Sequence, residues 1–250
     1  MTRKQYKKPP LVEVFSEFFF QPEEGKEWDS FVTPSFYKKF EKRFPTRKRF
    51  NAVGIQVRVP DGRDLPEFQP FGPPTPRHRF ISADEKTLIQ LGENLLVVNQ
   101  LPPYYGWEKY EPVVVECFDQ YLKLWKPSSV ARAAVHYLDK VDLPVLETGL
   151  ETYFNLLPSL PEFPDKPATN LAVSYEVPGA SDGDILVGIM KQAPSANPEG
   201  MSFLFQWDYV ATKGLPRKTD AIKTWVNDAH DFLSKVFLNT FTDECRKLFD

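Results

Sequence analysis

Cysteine and histidine are nearly absent from this chain, with two of the former and three of the latter among 250 residues. Cys117 and Cys245 both fall in segments of helical pattern and offer no disulfide framework, so a reducing, cytoplasmic setting is expected. His78, His136 and His230 stand far apart, and no HxxxH, HxH or CxxC spacing occurs; neither a metal nor a cofactor is expected from local motifs. Long apolar runs are missing too. Stretches such as Leu95-Leu96-Val97-Val98 fall well short of the roughly 20 residues that cross a bilayer. The basic start, with Arg3, Lys4, Lys7 and Lys8, runs into Pro9-Pro10 instead of a leader's apolar core, so no membrane role is expected. Charge of one sign is not in excess: the net charge is -3, whereas a general nucleic-acid binder carries a strongly basic domain. The twelve glycines sit at turns such as Gly62, Gly92 and Gly183 and form no GxxxxGK[ST], GxGxxG or GxSxG arrangement. Catalysis thus has no signature, and the reading leans away from an enzyme.

What is abundant is phenylalanine, 21 residues, and proline, 24. Period-two alternation predicts strands at Leu11–Phe20, Asn51–Val59, Arg77–Ala83, Thr87–Leu91, Leu95–Gln100, Val130–Leu138, Thr169–Val177, Asp184–Gln192 and Met201–Ala211. Helical spacing predicts segments at Phe31–Phe44, Trp107–Trp125, Glu147–Leu156 and Asp220–Asn239, with Thr242 capping a small terminal helix. Pro112 is tolerable only in the first turn of its helix. The proline-rich stretch up to Pro76 reads as a long loop, and Ser181-Asp182-Gly183-Asp184 as a hairpin turn, since it lacks the spaced acids of a calcium loop. Aromatic stripes such as Phe203, Phe205, Trp207 and Tyr209 have the period of buried core.

The order strand, short helix, antiparallel strands, long helix occurs twice, in residues 1–127 and 128–250. The expectation is an α+β fold built from two pseudo-repeats packed as one unit. One curved antiparallel sheet with helices on its convex face, a saddle of the TATA-binding-protein type, would join them; two separate sheets are the competing arrangement. The short Pro127 junction favours the shared sheet.

Each half opens on a strand with two titratable groups four residues apart, Glu13 and Glu17 in the first, Arg132 and His136 in the second. Placing Phe15 opposite Ala134 sets Glu17 against Arg132 and Glu13 against His136, two complementary pairs. These residues form either a polar ladder holding the halves in register or, with Phe15, Phe19 and Arg58, a concave binding surface. Gln56, Gln90, Gln206 and Asp208 alternate toward the same side. A basic stretch, Lys38, Lys39, Lys42, Arg43, Arg47, Lys48 and Arg49, is either a solvated helix face running into a turn or an anion contact. The guanidiniums of Arg77 and Arg79, flanking His78, would lower its basicity if they point its way.

Tyr6-Lys7-Lys8-Pro9-Pro10-Leu11-Val12-Glu13-Val14, Leu88 to Asn94, Tyr105-Gly106-Trp107-Glu108 and Arg132 to Tyr137 carry a resemblance. Over most of its length the chain resembles a sporadically distributed prokaryotic family of conserved hypothetical proteins with no assigned activity. His136 and Asp139 depart from it, standing where the family pattern has Arg and Asn. The resemblance implies a single architecture and, through its patchy distribution, a mobile or defence-associated locus. Three functions follow as expectations. The first is a non-enzymatic binding or assembly protein that engages a protein partner or a second copy through the concave face. The second is nucleic-acid binding by that face together with the basic stretch. The third is small-ligand binding, which a deep pocket between sheet and helices would distinguish.

Overall fold

A computed structural model describes residues 6–58, 67–144, 149–157, 171–195 and 200–250, with backbone only for 52–58 and 67–74. The elements run β1 (Leu11–Gln21), α1 (Val32–Phe40), β2 (Thr46–Arg58), β3 (Glu67–Ile81), β4 (Thr87–Gly92), β5 (Leu95–Gln100), α2 (Trp107–Trp125), β6 (Ser129–Leu143), β7 (Ala172–Pro178), β8 (Asp184–Ala193), β9 (Met201–Ala211), α3 (Thr219–Thr240) and α4 (Asp243–Lys247). The fold is α+β. Its nine described strands form one antiparallel sheet in the order β2-β3-β4-β5-β1-β6-β9-β8-β7. The opening strands of the two halves, β1 and β6, are neighbours at its middle, and each half then winds back toward its own opening strand from the outside.

Alternation decides which face is covered. On β1, Val14, Ser16, Phe18 and Phe20 are buried; Phe18 meets Phe118 edge-on, and Phe20 stacks on Tyr121 at 4.1 Å. Both partners come from α2, whose stripe Trp107, Tyr110, Val114, Phe118, Tyr121 and Trp125 recurs at three- and four-residue steps and is buried. Phe36 of α1 stacks on Phe80 of β3, and Trp225 and Phe232 of α3 pack on Tyr209 of β9. Register carries these positions onto one face, so α1, α2 and α3 lie on the same side of the sheet. No described helix is long and apolar enough to cross a membrane.

Besides element ends, which move by up to five residues at α1, β2 and β6 and place Arg47, Lys48 and Arg49 in β2, the expectations shift in four places. Residues 67–76 are strand, not loop. Before Arg77, β3 pairs only with β2, so the prolines there leave no β4 carbonyl without a donor. The expected helix at 147–156 is a single 3-10 turn, Leu150–Thr152. Phe154 leaves helical geometry to bridge Phe241 and pack against Phe203 and Phe205. Residues 145–148 lie outside the described ones, as does the expected turn at Gly62. Pro112 is the sixth residue of α2, a turn deeper than expected, and the carbonyl its missing N–H would have served is that of exposed Glu108.

The fourth shift is the register of the central pair. Phe15 opposes His136, Glu17 opposes Ala134 and Phe19 opposes Arg132, two residues from the expected alignment. A two-residue slip preserves which side chains share a face. Glu13 therefore does not meet His136, while Arg132 becomes a diagonal neighbour of Glu17 and still reaches it.

Candidate functional site

Opposite the helices, β1 presents Glu13, Phe15, Glu17 and Phe19, all half-buried, beside Arg132 and His136 of β6. Arg132 Nη1 donates to Glu17 Oε1 at 2.7 Å, and its guanidinium lies 5.7 Å from the centre of the Phe19 ring. Phe15 stacks on His136 at 4.1 Å. His136 Nδ1 is 2.7 Å from Asp208 Oδ1, and Gln206 Nε2 donates to the same carboxylate. Glu13 instead accepts from Asn99 Nδ2 at 2.7 Å, and Asn99 Oδ1 accepts from Gln90. The residues expected on this face are thus gathered in three polar clusters, apart from Gln56 and Arg58, whose side chains lie outside the described residues. The face is not bare: Leu95, Val97, Ala134 and Val210 on it are buried.

His136 resembles the base half of an acid–base pair, since a carboxylate holding Nδ1 calls for a proton there and leaves Nε2 as the lone pair. That Nε2 is buried, and among the described residues no hydroxyl or thiol is hydrogen-bonded to it. Cys117 and Cys245 are buried thiols in α2 and α4, both pushed up by burial, Cys245 to about 12; neither is poised as a nucleophile. Among the described residues no group of three or more His, Cys, Asp or Glu is placed to hold a metal.

The basic stretch is divided between two sides of the sheet. All seven of its cations are exposed. Lys38 and Lys39 end α1, Arg43 pairs with Glu116 of α2, and Arg47 lies over Tyr37 on the helix side. Lys48 opposes Arg79, whose guanidinium covers Phe50 on the other side. His78 is held below its ordinary value first by burial and then by Arg47 and Arg49 across the strand pair. Arg77 and Arg79, its sequence neighbours, point away because side chains alternate. Burial also pushes Arg77 down, and the Glu17 charge acts against that.

On the helix side lies a cavity of about 210 Å³, walled by β6, β9, α3 and the segment that precedes β1. That segment is tied down at both ends: Lys8 N donates to Phe249 O, Lys140 N donates to Pro10 O, and the Tyr6 ring packs on Phe237 and Phe249. Five aromatic side chains line the space, Tyr6, Tyr104, Tyr137, Trp207 and Phe237, together with the carboxyl of Asp139. Asp139 is 2% exposed, and its Oδ2 has no described hydrogen-bond partner. Burial pushes this carboxyl up to about 8. Tyr137 shares a 2.6 Å hydrogen bond with His230 Nδ1, and His230 stacks on Trp107 at 4.1 Å, which fixes the Tyr137 ring at the wall.

None of these cavity residues stood out as a site in the sequence. Tyr137 and Trp207 have the alternation of core, and Asp139 belongs to no catalytic or metal-binding motif. A signal was nevertheless present: Asp139 shares the parity of Val135, Tyr137 and Val141 on one strand, an acid in an otherwise covered row. Compared with protein-family models, curated proteins and solved structures, the chain matches none.

Proposed function

We propose that the protein is a non-enzymatic binding protein whose ligand occupies the cavity between β6, β9 and α3. The observation that carries this reading is Asp139. A carboxyl buried against apolar walls with an unpartnered oxygen has lost its hydration without compensation, a loss that a bound ligand would offset. A cavity of about 210 Å³ lies below the roughly 300–1,000 Å³ of pockets for drug-sized molecules, which limits the ligand to a compact one. Ligand-observed NMR with a library of compounds of about ten or fewer heavy atoms tests the site. Compounds that bind the native protein and are lost on Ser234→Phe, which fills the cavity from α3, are expected. Binding insensitive to that substitution, or no binding at all, contradicts the reading.

The helix-free face supports a second reading, a docking surface for a protein of mixed charge. We read the two halves as a duplicated unit and the sheet as a saddle with this face concave; the matching inward winding of the strands on either side of β1 and β6 supports that reading. Glu13, Glu17 and Asp208 outweigh Arg132 at its centre, which repels phosphate and favours a protein over a nucleic acid. The double variant Glu17→Arg with Arg132→Glu keeps an ion pair but inverts it. Loss of a partner that the native protein retains, with unchanged circular dichroism, is expected. Equal retention by both proteins, or salt-sensitive binding of labelled DNA or RNA in its place, contradicts it.

A further inference from the structure

The cavity has an acid and five aromatic side chains in its lining, and among the described residues no lysine, arginine or histidine lines it. That combination has a chemical preference. An aromatic face attracts a cation through its quadrupole, most strongly where water is excluded, and several faces around one space form the cage that organic ammonium groups favour. A carboxylate in the same space supplies the countercharge, and among the described lining residues it is the one group able to do so at neutral pH. The other titratable side chains of the lining are the phenols of Tyr6, Tyr104 and Tyr137, and burial raises that of Tyr137 further. His230 stands behind Tyr137, engaged with its hydroxyl.

We infer that the cavity binds a compact organic ammonium compound, its cationic head against Asp139 and its alkyl groups among Tyr6, Tyr104, Tyr137, Trp207 and Phe237. This rests on the cavity being the ligand site and adds the class of ligand. A weakly hydrated head, methylated or carried on a short alkyl chain, fits better than a bare ammonium ion, whose hydration the apolar walls cannot replace. Aliphatic Leu233 and Leu238 on α3 leave room for the alkyl part without a further hydrogen-bonding demand. Because the empty site keeps Asp139 protonated at pH 7, binding of the cation releases about one proton per ligand.

The test compares choline with its uncharged carbon isostere, 3,3-dimethylbutan-1-ol, by isothermal titration calorimetry in two buffers of different ionisation enthalpy. Three proteins are used: native, Asp139→Asn and Ser234→Phe. The native protein is expected to bind choline at least tenfold more tightly than the isostere and to release a proton as it does so. Asp139→Asn is expected to lose at least tenfold in choline affinity while its affinity for the isostere is unchanged. Ser234→Phe is expected to lose both. Equal binding of the two probes by the native protein, or full choline affinity in Asp139→Asn, overturns the ammonium inference and leaves the cavity reading standing. Failure of the native protein to bind choline at millimolar concentration also overturns the inference, and the compound library then decides the cavity reading by itself.

Discussion

At the scale of single residues, the charged groups of this protein divide by what surrounds them. Arg132 and Glu17 meet on the sheet surface, with side chains 42% and 17% exposed, and such a pair contributes up to about 1 kcal/mol. Asp139 is the opposite case. Folded, it keeps its proton up to about 8, whereas in the unfolded chain it gives the proton up near the ordinary carboxylate value of about 4. Below that lower value both states are protonated and nothing is lost. Between the two values the unfolded chain binds fewer protons, so stability falls as pH rises and levels off above the upper one. Asp139→Asn removes this penalty. Urea denaturation is expected to show the variant more stable than the native protein at pH 8, by up to about 5 kcal/mol, and nearly indistinguishable from it at pH 4. A gain of equal size at both pH values would assign the effect to packing instead of charge.

At the scale of elements, most strands and the long helices are legible in the sequence because each depends on its own periodicity, while the proline-rich start of β3 is not. β9 begins and ends where alternation places it, and α3 lies within a residue of its expected ends. The short pieces are not legible, because their geometry is set by remote partners. The expected helix before Leu156 yields to Phe154, which a phenylalanine cluster from β9 and Phe241 draws in. The register of β1 against β6 likewise depends on a third strand: Asp208 of β9 engages His136, on which Phe15 stacks, and no pairwise charge match between two strands contains that information. Thr242 is the reverse case, visible in the sequence as a cap. Its Oγ1 accepts from Cys245 N at 3.2 Å and donates to Thr152 O at 2.6 Å, tying α4 to the 3-10 turn. Thr242→Ala is expected to cost roughly 1–2 kcal/mol, read as an earlier urea midpoint; an unchanged midpoint would mean that the cap contributes nothing.

At the scale of the whole molecule, one sheet has two unlike faces. The helix-free face holds the residues that alternation selected, Glu13, Phe15, Glu17, Phe19, Arg132 and His136, since parity survives even a slipped register. The covered face holds the cavity, which sequence reasoning passes over because its aromatic walls have the same period as solid core; only the three-dimensional fit of β6, α3 and the Tyr6–Pro10 segment leaves the space open. The most direct test of that site is the titration of Asp139 followed by carboxyl carbon NMR on protein labelled at aspartate, its signal assigned by its loss in Asp139→Asn. A carboxyl that titrates near 8 alone and is ionised at neutral pH in saturating choline is expected. An Asp139 that titrates near 4 with the exposed carboxylates, unmoved by choline, would contradict it.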